Sequence, residues 1–359
     1  MNQQKQGRFL SVDVFRGWTV AAMLLVNNAG DWDHVFPWLE HAEWHGCTPA
    51  DFIFPFFLLI VGLSVSLALS PQLERGADVK QLGSSVIWRA VRLFVLGLLL
   101  HWFATWTIEG RAFRLFGVLQ RIGLCFAFAG LTVLYVRSYF QRWILTCLIL
   151  LASSLALLSY GSLEPGKNLA DLLDTLLLGH LAYQFDPLTG FAHDPEGIFS
   201  TLPAFASVLL GVQAAHFLRQ SRLSALYAIG AGLLVGGYLL SFWLPMNKQL
   251  WTASFVLWTS GAAYVVIAFL HWLIDLKHLP AVGRSFGINS IAAYAGSWIA
   301  TCLLAFTGWG DEWYRNVFYP LLAPRFGENF SSFAFAFAFT AVFAGLMHGM
   351  ARKGWRIVI

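Results

Sequence analysis

The chain has 359 residues, 58% of them hydrophobic and 12% charged, and its mean hydropathy is +0.63; soluble domains are nearer a quarter charged. Its formal charge of +4 is small and scattered, which gives nucleic acid no basic surface to hold. Apolar runs of 18 or more residues recur along the whole length, enough to cross a hydrocarbon core of ~30 Å, so the lipid bilayer is the expected surrounding.

In chain order the pattern predicts about ten transmembrane helices, at 14–30, 51–70, 87–106, 116–136, 142–160, 199–218, 223–243, 251–274, 286–306 and 332–351. The fold class is therefore an all-α polytopic bundle. No linker separates domains, so residues 1–359 read as one transmembrane domain. No internal repeat stands out, which disfavours repeat-built transporter folds. Many of the sixteen tryptophans, among them Trp18, Trp102, Trp243 and Trp313, fall near the ends of runs as interfacial anchors do. Cys47, Cys125, Cys147 and Cys302 are single and mostly inside apolar runs, so neither a disulfide framework nor a metal site is expected. Residues 1–10 are polar and basic and show no cleavable signal. Ten crossings put both termini on one side. With that side cytoplasmic, sixteen Lys and Arg, from Lys5 and Arg8 to Arg356, fall inside and seven outside.

The outer segments carry the chemistry. The first motif runs from His41 to Phe57. Thr48, Pro49 and Asp51 in it suit an N-cap, a first helical position and a dipole-facing acid, so Thr48 and Asp51 read equally as capping residues or as part of a site. Capping does not ask for imidazole. His41 and His45 are each a candidate base or nucleophile near neutrality, with interfacial hydrogen bonding as the plain alternative. Arg114 to Gly123 enters the fourth helix, with Gln120 and Arg121 about a turn deep; Arg121 either faces a cavity or reaches back to the interface. Asp194 to Pro203 brings carboxylates that would satisfy Arg121, and Asn247 to Ser254 brings Asn247 and Lys248. All four stretches meet at the outer mouth, which is the default place for a site. Asn27 and Asn28 lie near the outer end of the first helix, while Asp13 and Arg16 share a face at its inner end. Arg89, Arg92 and Arg284 are accounted for by topology, with gripping of phosphates as a second role.

These stretches resemble the heparan-alpha-glucosaminide N-acetyltransferase family, over nearly the whole chain. The likeness rests on Ser11-Val-Asp-Val-Phe-Arg-Gly, Val26-Asn27, the His41-to-Phe57 block, Gly117-Val-Leu-Gln-Arg, Asp194-Pro-Glu-Gly, Asn247-Lys-Gln-Leu-Trp and Gly287-Ile-Asn-Ser, in that order. It implies transmembrane acetyl transfer from cytosolic acetyl-CoA to the amino group of a glucosamine-type sugar on the far side. His41 matches the family's essential histidine and Asn27 an active-site asparagine. His45 falls where the animal enzyme has asparagine and takes no role. Whether the histidine is acetylated or acts only as base is open within the family.

The resulting expectation is a bacterial inner-membrane N-acetyltransferase with its mouth toward the periplasm. His41 and Asn27 are its catalytic candidates. Asp51, Arg121, Glu196, Asn247 and Lys248 would bind the amino-sugar acceptor. Arg16, Arg89, Arg92, Arg284 and Asn289 would hold acetyl-CoA, with no metal. A homodimer is compatible with the sequence and demanded by no residue. The rival reading is an amino-sugar transporter or permease that uses the same outer residues as its binding site.

Overall fold

The computed structural model describes residues 8–357 as an α-helical bundle. Lys5, counted above among the inner basic residues, lies outside the described residues. Among the described residues nine helices are long and apolar enough to cross a membrane. A tenth predicted span, α1 (Leu10–Val26), has 17 residues, at the short end of what crosses a bilayer. The others are α2 (Ile53–Glu74, entered through a 3-10 turn at Pro49–Phe52), α3 (Val79–Thr107), α4 (Val118–Tyr135) and α5 (Tyr139–Tyr160). A short α6 (Leu169–Leu177) and a two-residue antiparallel ladder, β1 (Gln184–Phe185) on β2 (Ala192–His193), fold the long loop that follows. Then come α7 (Ile198–Arg219), α8 (Leu223–Leu240) and α9 (Ala253–Leu270, prolonged by a π-turn through Leu276). The chain closes with α10 (Arg284–Ile288), α11 (Ser290–Thr307), α12 (Trp309–Trp313), α13 (Tyr319–Phe326) and α14 (Glu328–Arg352).

The expected spans are found, with ends that move for identifiable reasons. The third begins at Val79 rather than 87, because Asp78 caps it by accepting the Lys80 N–H at 3.0 Å. The second runs past Pro71 to Glu74, with the proline in its last turns. The ninth, expected as one helix over 286–306, breaks at Asn289 into α10 and α11.

Burial sorts the helices into a centre and a ring. The apolar stretch of α7 is 83% buried, against 22% or less for α3, α5, α8 and α11, whose outer faces are left for lipid. At the centre α2 and α7 cross through glycine. A Cβ on Gly62 would overlap the Val208 carbonyl, and one on Gly211 would overlap that of Leu59. Small residues let backbones approach where lipid offers no hydrophobic drive between helices.

The two ends of the bundle differ. One gathers the short connections and basic residues, and Arg219 pairs there with Glu74 at 2.7 Å. At the same end Asp275 accepts the Leu10 N–H at 2.9 Å and the Ser11 hydroxyl, tying the start of α1 to the end of α9. The other end gathers the long loops, 27–48, 161–197 and 241–252.

Candidate active site

The loop that returns from α1 to α2 is built on one carboxylate. Asp51 is wholly buried; its Oδ2 accepts the backbone N–H of Thr48 at 3.0 Å and of Ala42 at 3.1 Å. Its Oδ1 accepts from His41 Nδ1 at 2.8 Å. Asp51 thus caps the helix and orients the imidazole; sealed from the cavity, it does not reach the acceptor that the sequence reading assigned to it. A carboxylate can only accept, so Nδ1 carries the proton and Nε2 of the neutral ring carries the lone pair. The His41 side chain is 43% exposed while Asp51 is sealed behind it, so only the histidine is open to a reactant. Lys248 Nζ lies 3.6 Å from the same Asp51 oxygen.

A cavity of about 1030 Å³ begins at His41. At the loop end it is lined by His41, Asn27, Glu196, Lys248, Gln249 and Arg114. It continues between α1, α2, α3, α4 and α11 past Phe57, Val61, Val65, Leu93 and Ile122, and reaches Gln72, Arg89, Arg16 and Arg8 at the basic end. Its lining on α2 extends from Ile53 to Gln72, which is roughly 28 Å of helix at 1.5 Å per residue. The cavity therefore has the length of the hydrocarbon core. At the basic end Arg16 donates to Ser64 Oγ at 2.6 Å and to the Gly287 carbonyl at 3.1 Å, and lies 3.6 Å from Asp13, the pairing its spacing predicts. Phe126 lies under the Arg89 guanidinium, 4.9 Å from ring centroid to cation.

Around the mouth the charges are satisfied in a different pattern from the one expected. The Asp194 and Glu196 carboxylates belong to Arg114, which forks onto Asp194 at 2.7 and 3.2 Å and also pairs with Glu196. Arg121 instead turns to backbone: it donates to the Pro195 carbonyl at 3.0 Å and to the Ser200 hydroxyl, and stacks over Trp251. Burial pushes Glu196 toward protonation, but Arg114 and Arg121 outweigh it and hold its pKa below the usual range. Burial also pulls the Lys248 ammonium down, against the attraction of Asp51 and Glu196. Asp174, sealed under Asp194, is pushed up to about 6, mainly by burial.

A second network ties the loops together. His193 Nδ1 meets Asp171 at 2.5 Å and its Nε2 meets Gln249 Oε1 at 2.5 Å. Gln249 Nε2 donates to the Glu43 carbonyl at 3.2 Å. Burial disfavours the charged ring, yet Asp171 and Gln249 raise the His193 pKa, as acceptors on both nitrogens require.

Of the residues singled out by sequence, the structure brings His41, Asn27, Glu196, Lys248, Arg16 and Arg89 to one cavity. Asp51 and Arg121 stand directly behind its wall. Asn247 is buried and shapes the Lys248 loop by accepting the Leu250 N–H at 2.8 Å. Arg92 donates to its own helix at Trp88 O, and Arg284 lies 3.8 Å from Asp13; neither is among the lining residues. Asn289 is buried at the α10–α11 break with an unpartnered amide. Sequence reasoning passed over Arg114 as the organiser of the mouth, although it headed a motif, because its partners are 80 and 82 residues away. It also passed over Ser64, Gln72, Tyr294 and Trp298, ordinary residues in apolar helices until the cavity is seen.

Comparison with known proteins fits this arrangement. The family described as heparan-alpha-glucosaminide N-acetyltransferase, catalytic, matches residues 8–244, which take in His41, Asp51, Arg114 and Glu196. Heparan-alpha-glucosaminide N-acetyltransferase of Homo sapiens is 30% identical over 352 residues, and that of Mus musculus is 28% identical over 353. Each alignment covers 80% of this chain, and 52% and 53% of the respective relative. This chain thus spans about half the length of the curated relatives it matches. With the family model matching residues 8–244, about two thirds of its length, and a relative 30% identical over 352 residues, this chain belongs to the heparan-alpha-glucosaminide N-acetyltransferase family.

Proposed function

We propose that this protein is a transmembrane N-acetyltransferase that carries an acetyl group from cytosolic acetyl-CoA to the amine of a glucosamine-type sugar on the opposite side of a bacterial inner membrane. One observation carries the reading: the cavity joins a basic end to a histidine at the far mouth. The positive-inside rule assigns the basic end to the cytosol. There Arg8, Arg16 and Arg89 suit the phosphates of a nucleotide, and the apolar middle suits an uncharged arm bearing a thioester.

At the mouth His41 Nε2 acts in one of two ways. It takes the proton from the sugar ammonium, so that the free amine attacks the thioester carbonyl, or it attacks that carbonyl first and passes the acetyl group on. In both, Asp51 fixes the tautomer and steadies the charge that develops on the ring. Asn27, on the cavity wall, donates its amide N–H to the tetrahedral oxyanion. Glu196 and Lys248 bind the acceptor, while Asn247 and Arg121 support the segments that carry them.

The test is acetyl transfer from radiolabelled acetyl-CoA to glucosamine by the purified protein in detergent, beside His41→Ala. The expected result is transfer that falls by about 10²–10⁴-fold in the variant, while acetyl-CoA alone still raises the melting temperature of both. Sugar uptake into vesicles, with no transfer and no stabilisation by acetyl-CoA, would replace this reading with the permease.

A further inference from the structure

The mouth holds a second nitrogen nucleophile that belongs to the protein itself. Lys248 lines the cavity, and its Nζ approaches the same Asp51 oxygen that receives His41 Nδ1, at 3.6 Å against 2.8 Å. The loop that carries it is rigid. Asn247 N donates to Thr252 Oγ1 at 3.0 Å, Asn247 Oδ1 accepts the Leu250 N–H, and Thr252 Oγ1 donates to the Pro245 carbonyl at 2.9 Å. Lys248 is thus a primary amine fixed beside His41 and attracted by two carboxylates, Asp51 and Glu196. That is the setting an external amine acceptor has to find.

We propose that Lys248 is a self-acetylation site, used when a thioester donor occupies the cavity and no amine acceptor has entered. The inference rests on the acetyl-transfer reading above and deepens it. In the step, the free Nζ attacks the thioester carbonyl. The C–N bond forms as the C–S bond breaks, the electron pair leaves on sulfur, and the proton lost by Nζ passes through His41 to the thiolate. The products are Nε-acetyl-Lys248 and the free thiol, so atoms and charge balance without a further reactant. Burial lowers the Lys248 pKa and so enlarges the fraction present as free amine. The neighbouring Cys47 is no rival, since burial pushes its thiol up to about 12 and keeps it protonated. Acetylation removes a positive charge from between Asp51 and Glu196 and leaves a neutral amide at the mouth. Transfer then slows when acceptor is scarce.

The experiment incubates the purified full chain in detergent with acetyl-CoA alone and maps acetyl-lysine by peptide mass spectrometry. Glucosamine transfer is measured on the same preparation. Acetyl on the Lys248 peptide is expected in the folded protein, and the mark does not form when the protein is heat-denatured beforehand, when glucosamine is present from the start, or in His41→Ala. Lys248→Arg is expected to lose the mark while acetyl-CoA still stabilises the variant. Equal marking of Lys248 and the exposed Lys80 and Lys277, unaffected by denaturation, would be indiscriminate chemistry and would overturn the proposal. Glucosamine transfer with Lys248 unmarked would overturn it while leaving the transferase reading intact. Failure of both transfer and marking, with donor present, would overturn both.

Discussion

At the scale of single residues, the site turns on what one carboxylate is asked to do. Asp51 takes two backbone amides and the His41 imidazole on two oxygens, with Lys248 close by. Asp51→Asn keeps the volume but has one acceptor oxygen where the site uses two. Its amide N–H would face either a backbone donor or the imidazole Nδ1–H, and an unmet buried donor costs ~1–3 kcal/mol. The expected outcome is a fall in kcat of about 10²-fold or more, with the KM for acetyl-CoA unchanged because the basic end is untouched; steady-state kinetics in detergent checks it. This is also where the sequence was most and least informative. His41 was readable because no local structural rule asks for imidazole there. The His41–Asp51 contact was readable only as proximity, since both sit in one short motif. The exchange of partners between Arg114 and Arg121 was not readable at all. Arg114 lies in the loop just before α4 and Arg121 in its first turn, and which of them takes the carboxylates depends on how the 194–197 turn lies, with the Asp194 N–H held by Asp174 at 3.0 Å.

At the scale of elements, the long loops are held by ion pairs as well as by small apolar clusters such as Leu178, Ala182 and Ala192, and one of those pairs contains a histidine. The raised pKa of His193 means that its contacts to Asp171 and Gln249 are made by the charged ring. Below the unfolded value of about 6.5 the ring is protonated in both states and the stabilisation is complete. As pH rises through the higher folded value the proton leaves and the stabilisation goes with it. The melting temperature in detergent is therefore expected to fall as pH rises above about 6.5, with a flatter slope in His193→Gln; scanning fluorimetry across a pH series decides it. The transmembrane elements were legible because length and hydropathy alone define them. The short helices were not. α6 has 9 residues and α10 only 5, below what periodicity resolves, and α10 exists because α1 packs on it so closely that a Cβ at Gly287 would overlap the Asp13 carbonyl.

At the scale of the whole molecule, the proposed reaction needs the basic end and the histidine mouth to be in communication, and the cavity is the means. Val61, in the middle of α2, lines it. Val61→Trp is expected to abolish transfer to glucosamine while acetyl-CoA still stabilises the variant, because the lining continues toward the basic end for roughly three more turns of α2, to Gln72. Transfer at the wild-type rate in a folded Val61→Trp protein would mean that the reactants meet by another route. No sequence pattern announces such a passage, since the residues along it, Val61, Val65, Leu93 and Ile122, are the ones any membrane helix would carry.

Those aliphatic residues have an electrical consequence. A hole through an energised membrane dissipates voltage, at about 2.3 kcal/mol for each charge that falls through 100 mV. The lining between Phe57 and Ile122 offers few polar atoms to an ion or a file of water, and an apolar lining disfavours the entry of ions. If the proposed transfer holds, such a lining lets a slender uncharged arm through while it holds back sodium and protons.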